Sequence, residues 1–242
     1  MSSVLPPVAI LCGGLATRLR PLAEKVPKAL MELNGEPFLA HQLRLLRSRG
    51  VDRAVLCVGY LGEMIRNYVG DGSQFGLRTE YSFDGSTLLG TAGAIRRALP
   101  LLGETFFVLY GDSYLPCNYR AVREAFRCSR RPALMTVFRN EGRYDASNIE
   151  FDGVRILRYD KTLRTERMSY IDYGLGVFDG TVFQSIPEMQ PYDLARVYQD
   201  QLAAGTLAAF EVKERFYEIG SPEGLRETAE YLRRLSSSQS EA

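Results

Sequence analysis

Two adjacent glycines with cations close behind them are the first residues in this chain that could do chemistry. Residues 8–11 form a short apolar run that reads as a buried strand. The run stops at Gly13 and Gly14, where the backbone can turn and present N–H groups at close range. Backbone donors in such a turn suit phosphate oxygens. Arg18, Lys25 and Lys28 follow within fifteen residues of Gly13, adding one planar fork and two point charges. The stretch is equipped for a polyphosphate. It is neither a P-loop, which needs Gly-Lys-Ser/Thr after its glycines, nor a dinucleotide fingerprint, which needs Gly-x-Gly-x-x-Gly.

Two further stretches carry candidate groups. Residues 106–110 read as a strand followed by Gly111-Asp112, so the acid stands at a C-terminal strand edge, where open α/β sheets place ligands. Asp112 there suits Mg²⁺, which accepts one or two carboxylates and lets phosphates complete its shell. Capping a following helix is the other role open to such an Asp. Gly90, Thr91, Ala92 and Gly93 precede a helix expected over about 95–101. Small residues there either let a flat base or a ribose approach the backbone or only pack a helix start closely on a sheet.

These groups need a frame that brings distant stretches to one edge. Pro37 opens a helical pattern with Leu39, Leu43 and Leu46 in register, ending at Gly50. A strand over 54–58, a helix over 61–69 and a strand over 77–83 follow. Alternating strands and helices mean parallel pairing in a layered sheet, an α/β fold. From about residue 132 short strands take over, at 133–138, 148–151 and 154–158, with Asp152-Gly153 as a hairpin turn; they read as a sheet extension. Helices over 192–204 and 222–235 close the fold around a strand at 207–212, and Ser221-Pro222 reads as an N-cap and first helical residue. His41, the only histidine, lies on the first helix without a second ligand nearby, which favours a surface or packing role.

A chain of 242 residues, 45% apolar, can bury a sizeable core, and a single domain over 1–235 is expected, with a polar, disordered tail over 236–242. Thirty basic against twenty-nine acidic residues give a formal charge of +1, so no overall field draws this chain to nucleic acid or an anionic membrane, and any anion site is local. Cys12, Cys57, Cys117 and Cys128 lie far apart, which argues against a zinc knuckle or a disulfide scaffold and fits a reducing cytoplasm. No basic leader precedes the first apolar run, and no segment approaches the roughly 20 apolar residues of a membrane span. Only four basic residues are lysines, and Lys25, Lys28 and Lys161 fall in candidate segments. A compact ammonium is not equivalent to a guanidinium at a crowded phosphate.

Taken together, Gly13-Gly14-Leu15-Ala16-Thr17-Arg18-Leu19-Arg20-Pro21 and the following Lys25-Val26-Pro27-Lys28 resemble the entry motif of the sugar-1-phosphate nucleotidyltransferases. Val26 between Lys25 and Pro27, and Ala29 after Lys28, depart from that motif. Leu89 to Ala94 is similar to the family segment that lines the base and ribose, and Gly111-Asp112 to its metal-binding Gly-Asp. Lys161 resembles the lysine that meets the sugar phosphate. Residues 170–178 resemble the family's Asn-Ala-Gly strand, with Asp172 in place of Asn; Asp keeps a hydrogen-bond acceptor and loses the donor. Glu218-Ile219-Gly220-Ser221-Pro222 stands where the family has Asp-Ile-Gly-Thr/Ser-Pro, and Asp84 replaces a frequent glutamate. Within the family, residues 58–60, 70–73 and 89–94 look closest to the heptose 1-phosphate and mannose-1-phosphate guanylyltransferases.

The resemblance implies a Rossmann-like three-layer α/β/α nucleotide-diphospho-sugar transferase fold, with a mostly parallel mixed sheet and a small β extension. It implies an enzyme joining an NTP, GTP by this closeness, to a sugar 1-phosphate of heptose or mannose type with release of pyrophosphate. Catalysis would fall to Arg18, Lys28, Asp112 and Lys161. Nucleotide binding would fall to Leu11, Gly13, Gly14, Thr17, Arg18, Lys28, Gly90, Thr91, Ala92, Gly93 and Asp112. The sugar phosphate would meet Gly111, Asn148, Lys161, Asp172 and Gly174, and Mg²⁺ would be held by Asp112 and Glu218. An acid at 218 is also favoured simply by the helix N-terminus beside it. Longer family members add a further region after this core, which this chain is expected to lack. The base, the sugar and any homo-oligomer stay open. Two other classes stay in view: a glycosyltransferase, although Asp112-Ser113-Tyr114 lacks the second aspartate of an Asp-x-Asp element, and a silent nucleotide-sugar sensor, against which Arg18, Lys28, Asp112 and Glu218 speak.

Overall fold

The computed structural model describes residues 4–14 and 26–240. The first strand, β1 (Val8–Leu11), is followed by a small hairpin, β2 (Glu32–Leu33) and β3 (Glu36–Pro37), and by α1 (Phe38–Ser48). Then come β4 (Arg53–Val58), α2 (Gly62–Val69), β5 (Arg78–Phe83), α3 (Gly90–Leu102) and β6 (Thr105–Tyr110). The second half holds β7 (Ser113–Tyr114), α4 (Tyr119–Ser129), β8 (Ala133–Arg139), β9 (Ile149–Phe151), β10 (Ile156–Tyr159) and β11 (Tyr170–Asp179). It closes with α5 (Leu194–Ala203), β12 (Leu207–Val212), β13 (Tyr217–Glu218) and α6 (Pro222–Ser240).

Among the described residues the main sheet has nine strands. β5, β4, β1 and β6 lie side by side in that order, all parallel. β11 joins β6 antiparallel and also pairs with β8, which pairs in parallel with β12; β9 and β10 form the small extension. Alternation along each strand feeds two cores. Val8 and Ile10 of β1 pack with Leu39, Leu43 and Leu46 of α1 and with Ile65 of α2 on one face. Ala9 packs with Ile95 and Ala98 of α3 and reaches the core that holds Val197 of α5 on the other. The result is the expected mixed, mostly parallel sheet between two helical layers. Each fully buried leucine of the α1 stripe contributes roughly 1.5–3 kcal/mol of burial free energy.

Three local differences from the sequence reading bear on the site. α3 begins at Gly90, not near 95, so the small residues form its first turn instead of preceding it. A two-stranded ribbon of β7 with β13, which no hydrophobic period announces, ties Ser113 to Glu218. α6 runs past Leu235 to Ser240, where a disordered tail is expected from residue 236; its Leu232 packs with Tyr114 and Ile219 of the ribbon segment. α4 also lies in a stretch the periodicity reading leaves unassigned, and its N-cap is Asn118, whose side chain accepts the Ala121 N–H at 3.1 Å.

Candidate active site

The parallel strands end together. Leu11 of β1 is in register with Cys57 of β4 and with Tyr110 of β6, so the turn at 12–14 and Gly111-Asp112 leave the sheet as neighbours. β5 ends at Phe83 and delivers Asp84 to the same edge. Because β11 runs antiparallel to β6, it is the first half of β11 that lies beside this edge. Its register against β8 slips between Asp172 and Gly176, with Gly174 at φ +100°, a bulge that re-aims the backbone beside Asp172. Between these elements lies a cavity of about 840 Å³. Its wall includes Asp84, Gly13, Asp112, Asp172, Asn148 and Lys161, which follow the strand order of the sheet edge. This is the crevice outside the carboxyl ends of the strands where open α/β sheets bind ligands.

Most of the expected site residues meet there. Leu11, Gly14, Lys28, Gly90, Thr91 and Gly111 line the cavity, as do Gly174 and Glu218. Ala92 and Gly93 do not. Their N–H groups both bond the Tyr192 carbonyl, at 2.9 and 3.3 Å, and a Cβ on Gly93 would come within 2.8 Å of the Gln190 carbonyl. For these two, close packing of a helix start is the role the structure assigns. The Thr91 hydroxyl donates to Asp193 at 3.1 Å and accepts the Leu194 N–H at 2.7 Å, which joins α3 to the start of α5. Thr17, Arg18 and Lys25 lie outside the described residues.

The centre of the cavity is charged. The Lys28 ammonium donates to Asp112 Oδ2 at 2.8 Å. Glu218 Oε2, Lys28 Nζ and Asp112 Oδ2 all lie within 4 Å of the point a Cβ on Gly220 would occupy. Glu218 is also engaged at the start of α6: Oε1 accepts the Ser221 hydroxyl at 2.6 Å and Oε2 accepts the Gly220 N–H. It therefore braces Ser221, whose hydroxyl accepts the Gly224 N–H of α6 at 2.9 Å, and lines the site at once. Asp112 is held from both sides, because the buried Gln42 of α1 donates to the Tyr110 carbonyl at 3.0 Å and the Ser113 carbonyl at 2.7 Å. A Cβ on Gly111 would lie 2.6 Å from the Leu11 carbonyl, so only glycine lets the two strand ends approach this closely.

At the β11 end, Asn148 Oδ1 accepts the Asp172 N–H at 3.0 Å, and Asp172 Oδ1 accepts the Gly174 N–H at 3.0 Å. Burial raises the Asp172 carboxyl above the usual carboxylate range, opposed first by the Lys161 charge. The Lys161 ammonium stands 5.5 Å from the Tyr110 ring centre. Among the described residues the buried Tyr110 hydroxyl has no hydrogen-bond partner. Cys12 and Cys57 line the wall too; burial and the Asp112 charge push the Cys12 thiol up to about 12, and burial raises Cys57 as well. Both are neutral thiols at pH 7 and unsuited to nucleophilic work.

At the opposite end Asp84 is buried, its Oδ2 accepting the Leu89 N–H at 3.2 Å. Burial raises its carboxyl, with that hydrogen bond and the Arg97 charge opposing. An acid with a raised folded pKa weakens the fold only where it must ionise. The penalty is absent below the unfolded range near about 4, grows as pH rises towards the folded value, and is complete above it. Asp84→Asn is therefore expected to melt at a higher temperature than the wild type at pH 7.5, with the gap closing as pH falls to about 4. A pH series of thermal melts checks this, and a variant less stable at pH 7.5 contradicts it.

The sequence reading gave no role to Asp84, Gln42, Tyr110 or Arg164, which all touch or brace the site. Asp84 had a usable signal, since it follows an alternating strand as Asp112 does. Gln42 had one too, as an amide on the apolar side of a helix beside Leu43. Arg164 had none among so many arginines.

The donor set suits Mg²⁺. Among the described residues no cluster of three or more His, Cys, Asp or Glu is placed to hold a metal. Two converging carboxylates beside room for phosphates are nevertheless what this hard cation accepts. Among the described residues, also, no helix is long and apolar enough to cross a membrane.

Comparison with known proteins agrees with this geometry. A family model described as nucleotidyl transferase matches residues 8–233. The UTP--glucose-1-phosphate uridylyltransferase of Synechocystis sp. is 28% identical over 203 residues, covering 76% of this chain and 52% of its own length, so this chain spans about half of that relative. The D-glycero-alpha-D-manno-heptose 1-phosphate guanylyltransferase of Campylobacter jejuni is 25% identical over 214 residues, covering 88% of this chain and 94% of the relative. Among solved structures, HddC from Yersinia pseudotuberculosis complexed with GMP-PN superposes with a TM-score of 0.77 at 24% identity, over 94% of this chain and all of that one, a likeness of fold. With nearly the whole length matched and the cavity at the expected strand edge, this chain belongs to the nucleotidyl transferase family of enzymes.

Proposed function

We propose that this chain transfers a nucleotidyl group from GTP to a sugar 1-phosphate of heptose or mannose type, releasing pyrophosphate. The observation that carries the reading is the order of groups along one sheet edge. A buried carboxylate, Asp84, stands at one end, the Lys28–Asp112 pair is central, and Lys161 with Asn148 and Asp172 is at the other. That order matches base, phosphates and acceptor sugar in a linear ternary complex. The acceptor's phosphate oxygen is already a nucleophile at neutral pH, so no general base is needed. In-line positioning and charge neutralisation supply the rate. Lys28 draws the triphosphate onto the site and Lys161 holds the acceptor phosphate, with Arg18 the further cation expected from sequence. Asp112 and Glu218 would hold Mg²⁺, whose chemistry there is charge neutralisation on the phosphates.

Asp84 supports guanine. A carboxylate accepts two hydrogen bonds side by side, and guanine presents adjacent N–H donors at N1 and N2, whereas uracil and thymine flank a single N–H with carbonyl oxygens that the carboxylate repels. The Campylobacter relative, matched over 94% of its length, is named for a heptose acceptor. Four NTPs assayed against heptose, mannose, glucose and N-acetylhexosamine 1-phosphates, with pyrophosphate release as the readout, test both choices. GTP with a heptose or mannose phosphate is the expected best pair, and a preference for a pyrimidine triphosphate sinks the base assignment. In the same assay Asp84→Asn is expected to lower kcat/KM for GTP by about 10–100-fold, the worth of hydrogen bonds to a charged group. Its activity with UTP should fall much less.

A further inference from the structure

We propose that Lys28 occupies the metal's place on Asp112 in the free enzyme, so that the site refuses a divalent cation until a nucleotide draws the ammonium away. This rests on the nucleotidyl-transfer reading and adds an order of assembly to it. Both Asp112 oxygens are engaged by the protein itself: Oδ2 accepts from Lys28 Nζ at 2.8 Å, and Oδ1 from the Ser113 hydroxyl at 3.3 Å. Lys28 Nζ stands 3.1 Å from the point of a Gly220 Cβ, with Glu218 Oε2 2.5 Å and Asp112 Oδ2 3.7 Å from that point. The ammonium thus holds the Asp112 oxygen nearest this point, for which a cation of higher charge would have to compete.

The two partners differ in freedom. Asp112 is braced by its backbone: Gly111 N–H bonds the Leu11 carbonyl at 3.0 Å, Ile219 N–H bonds the Asp112 carbonyl at 2.9 Å, and Gln42 clamps the residues on either side. Lys28 stands on a single turn of 3-10 helix, Lys28–Leu30, at the end of a flexible four-carbon stem. When the pair opens, it is the lysine that moves. A bare divalent cation must displace the ammonium and then sit against its charge, with two protein carboxylates as ligands. A triphosphate changes both sides of this balance, because its oxygens receive the ammonium and complete the metal's shell. Linkage then requires that nucleotide raise metal affinity by the same factor as metal raises nucleotide affinity.

The test uses Mn²⁺ alone, without nucleotide, titrated into the full chain and followed by the EPR signal of the free ion. Lys28→Met is expected to bind Mn²⁺ about tenfold more tightly than the wild type, or better, since a nearby positive charge is gone. Lys28→Gln should do the same, Lys28→Arg should stay close to wild type, and Lys28→Met/Asp112→Asn should lose the gain. Circular dichroism confirms that each variant is folded. A Met and a Gln variant that both bind Mn²⁺ as weakly as the wild type overturn the proposal, and so does a gain that survives Asp112→Asn. Pyrophosphate release by the wild type separates the two levels: if it occurs while the Lys28 variants gain no Mn²⁺ affinity, only the placeholder role fails. If no substrate pair releases pyrophosphate, the nucleotidyl-transfer reading itself fails.

Discussion

Replacing Asp112 with Asn is expected to lower turnover by about 10²–10³-fold while leaving the melting temperature nearly unchanged. The substitution keeps the shape of the side chain but presents an amide where the cluster around Gly220 needs an acceptor with charge. Asp112 accepts from the Lys28 ammonium near Glu218, so its charge places the lysine and, in the proposed reaction, would also help hold Mg²⁺. Little stability is at stake. The Asp112 side chain is 38% exposed, and a pair whose carboxylate solvent still reaches contributes about 0–1 kcal/mol. Initial rates of pyrophosphate release and a thermal melt on the same preparation decide it. A variant within threefold of wild-type turnover would remove Asp112 from the chemistry. One that melts far lower would make it a structural residue.

The second large effect is on the fold. Gly90 has φ +69°, a conformation that costs an L-residue roughly 1–2 kcal/mol. A Cβ there would also approach the Tyr192 carbonyl to 2.7 Å, and that carbonyl is the acceptor for the first N–H groups of α3. Gly90→Ala therefore strains its own backbone and pushes away the acceptor that caps the helix. A combined loss of about 2–3 kcal/mol lowers the melting temperature of a chain this size by about 5–10 °C. Gly14→Ala is the control: among the described residues nothing lies within 4 Å of its Cβ position, and its melt should match the wild type. Equal melting of the Gly90 variant and the wild type would show that the segment at 190–192 yields at little cost.

Much of this molecule was legible as a line of residues. The α/β alternation, the buried strands at β1, β4 and β6 and the glycine turn followed by lysines are local patterns, governed by side-chain period and backbone permission. The carboxylate at the end of β6 could be assigned to a ligand edge because parallel sheets put ligands there. The β2–β3 hairpin turns on Asn34-Gly35, with φ 54° and 87°, a turn signal present in the sequence. α4 carries no readable apolar stripe, because its buried residues are few, Tyr119 and Val122, among several arginines.

The inventory is therefore local: which elements form, and which cations and carboxylates follow a strand. Which of them meet is a matter of how the strands are ordered in the sheet. Lys28 and Asp112 are 84 positions apart, and their contact depends on β1 and β6 being neighbours in the sheet. The structure also divided the glycines after Leu89, leaving Gly90 at the cavity and giving the N–H groups of Ala92 and Gly93 to Tyr192. No local pattern contains that choice, because a backbone N–H takes whichever acceptor the fold brings to it. Here the acceptor arrives from a residue a hundred positions away, at the mouth of α5.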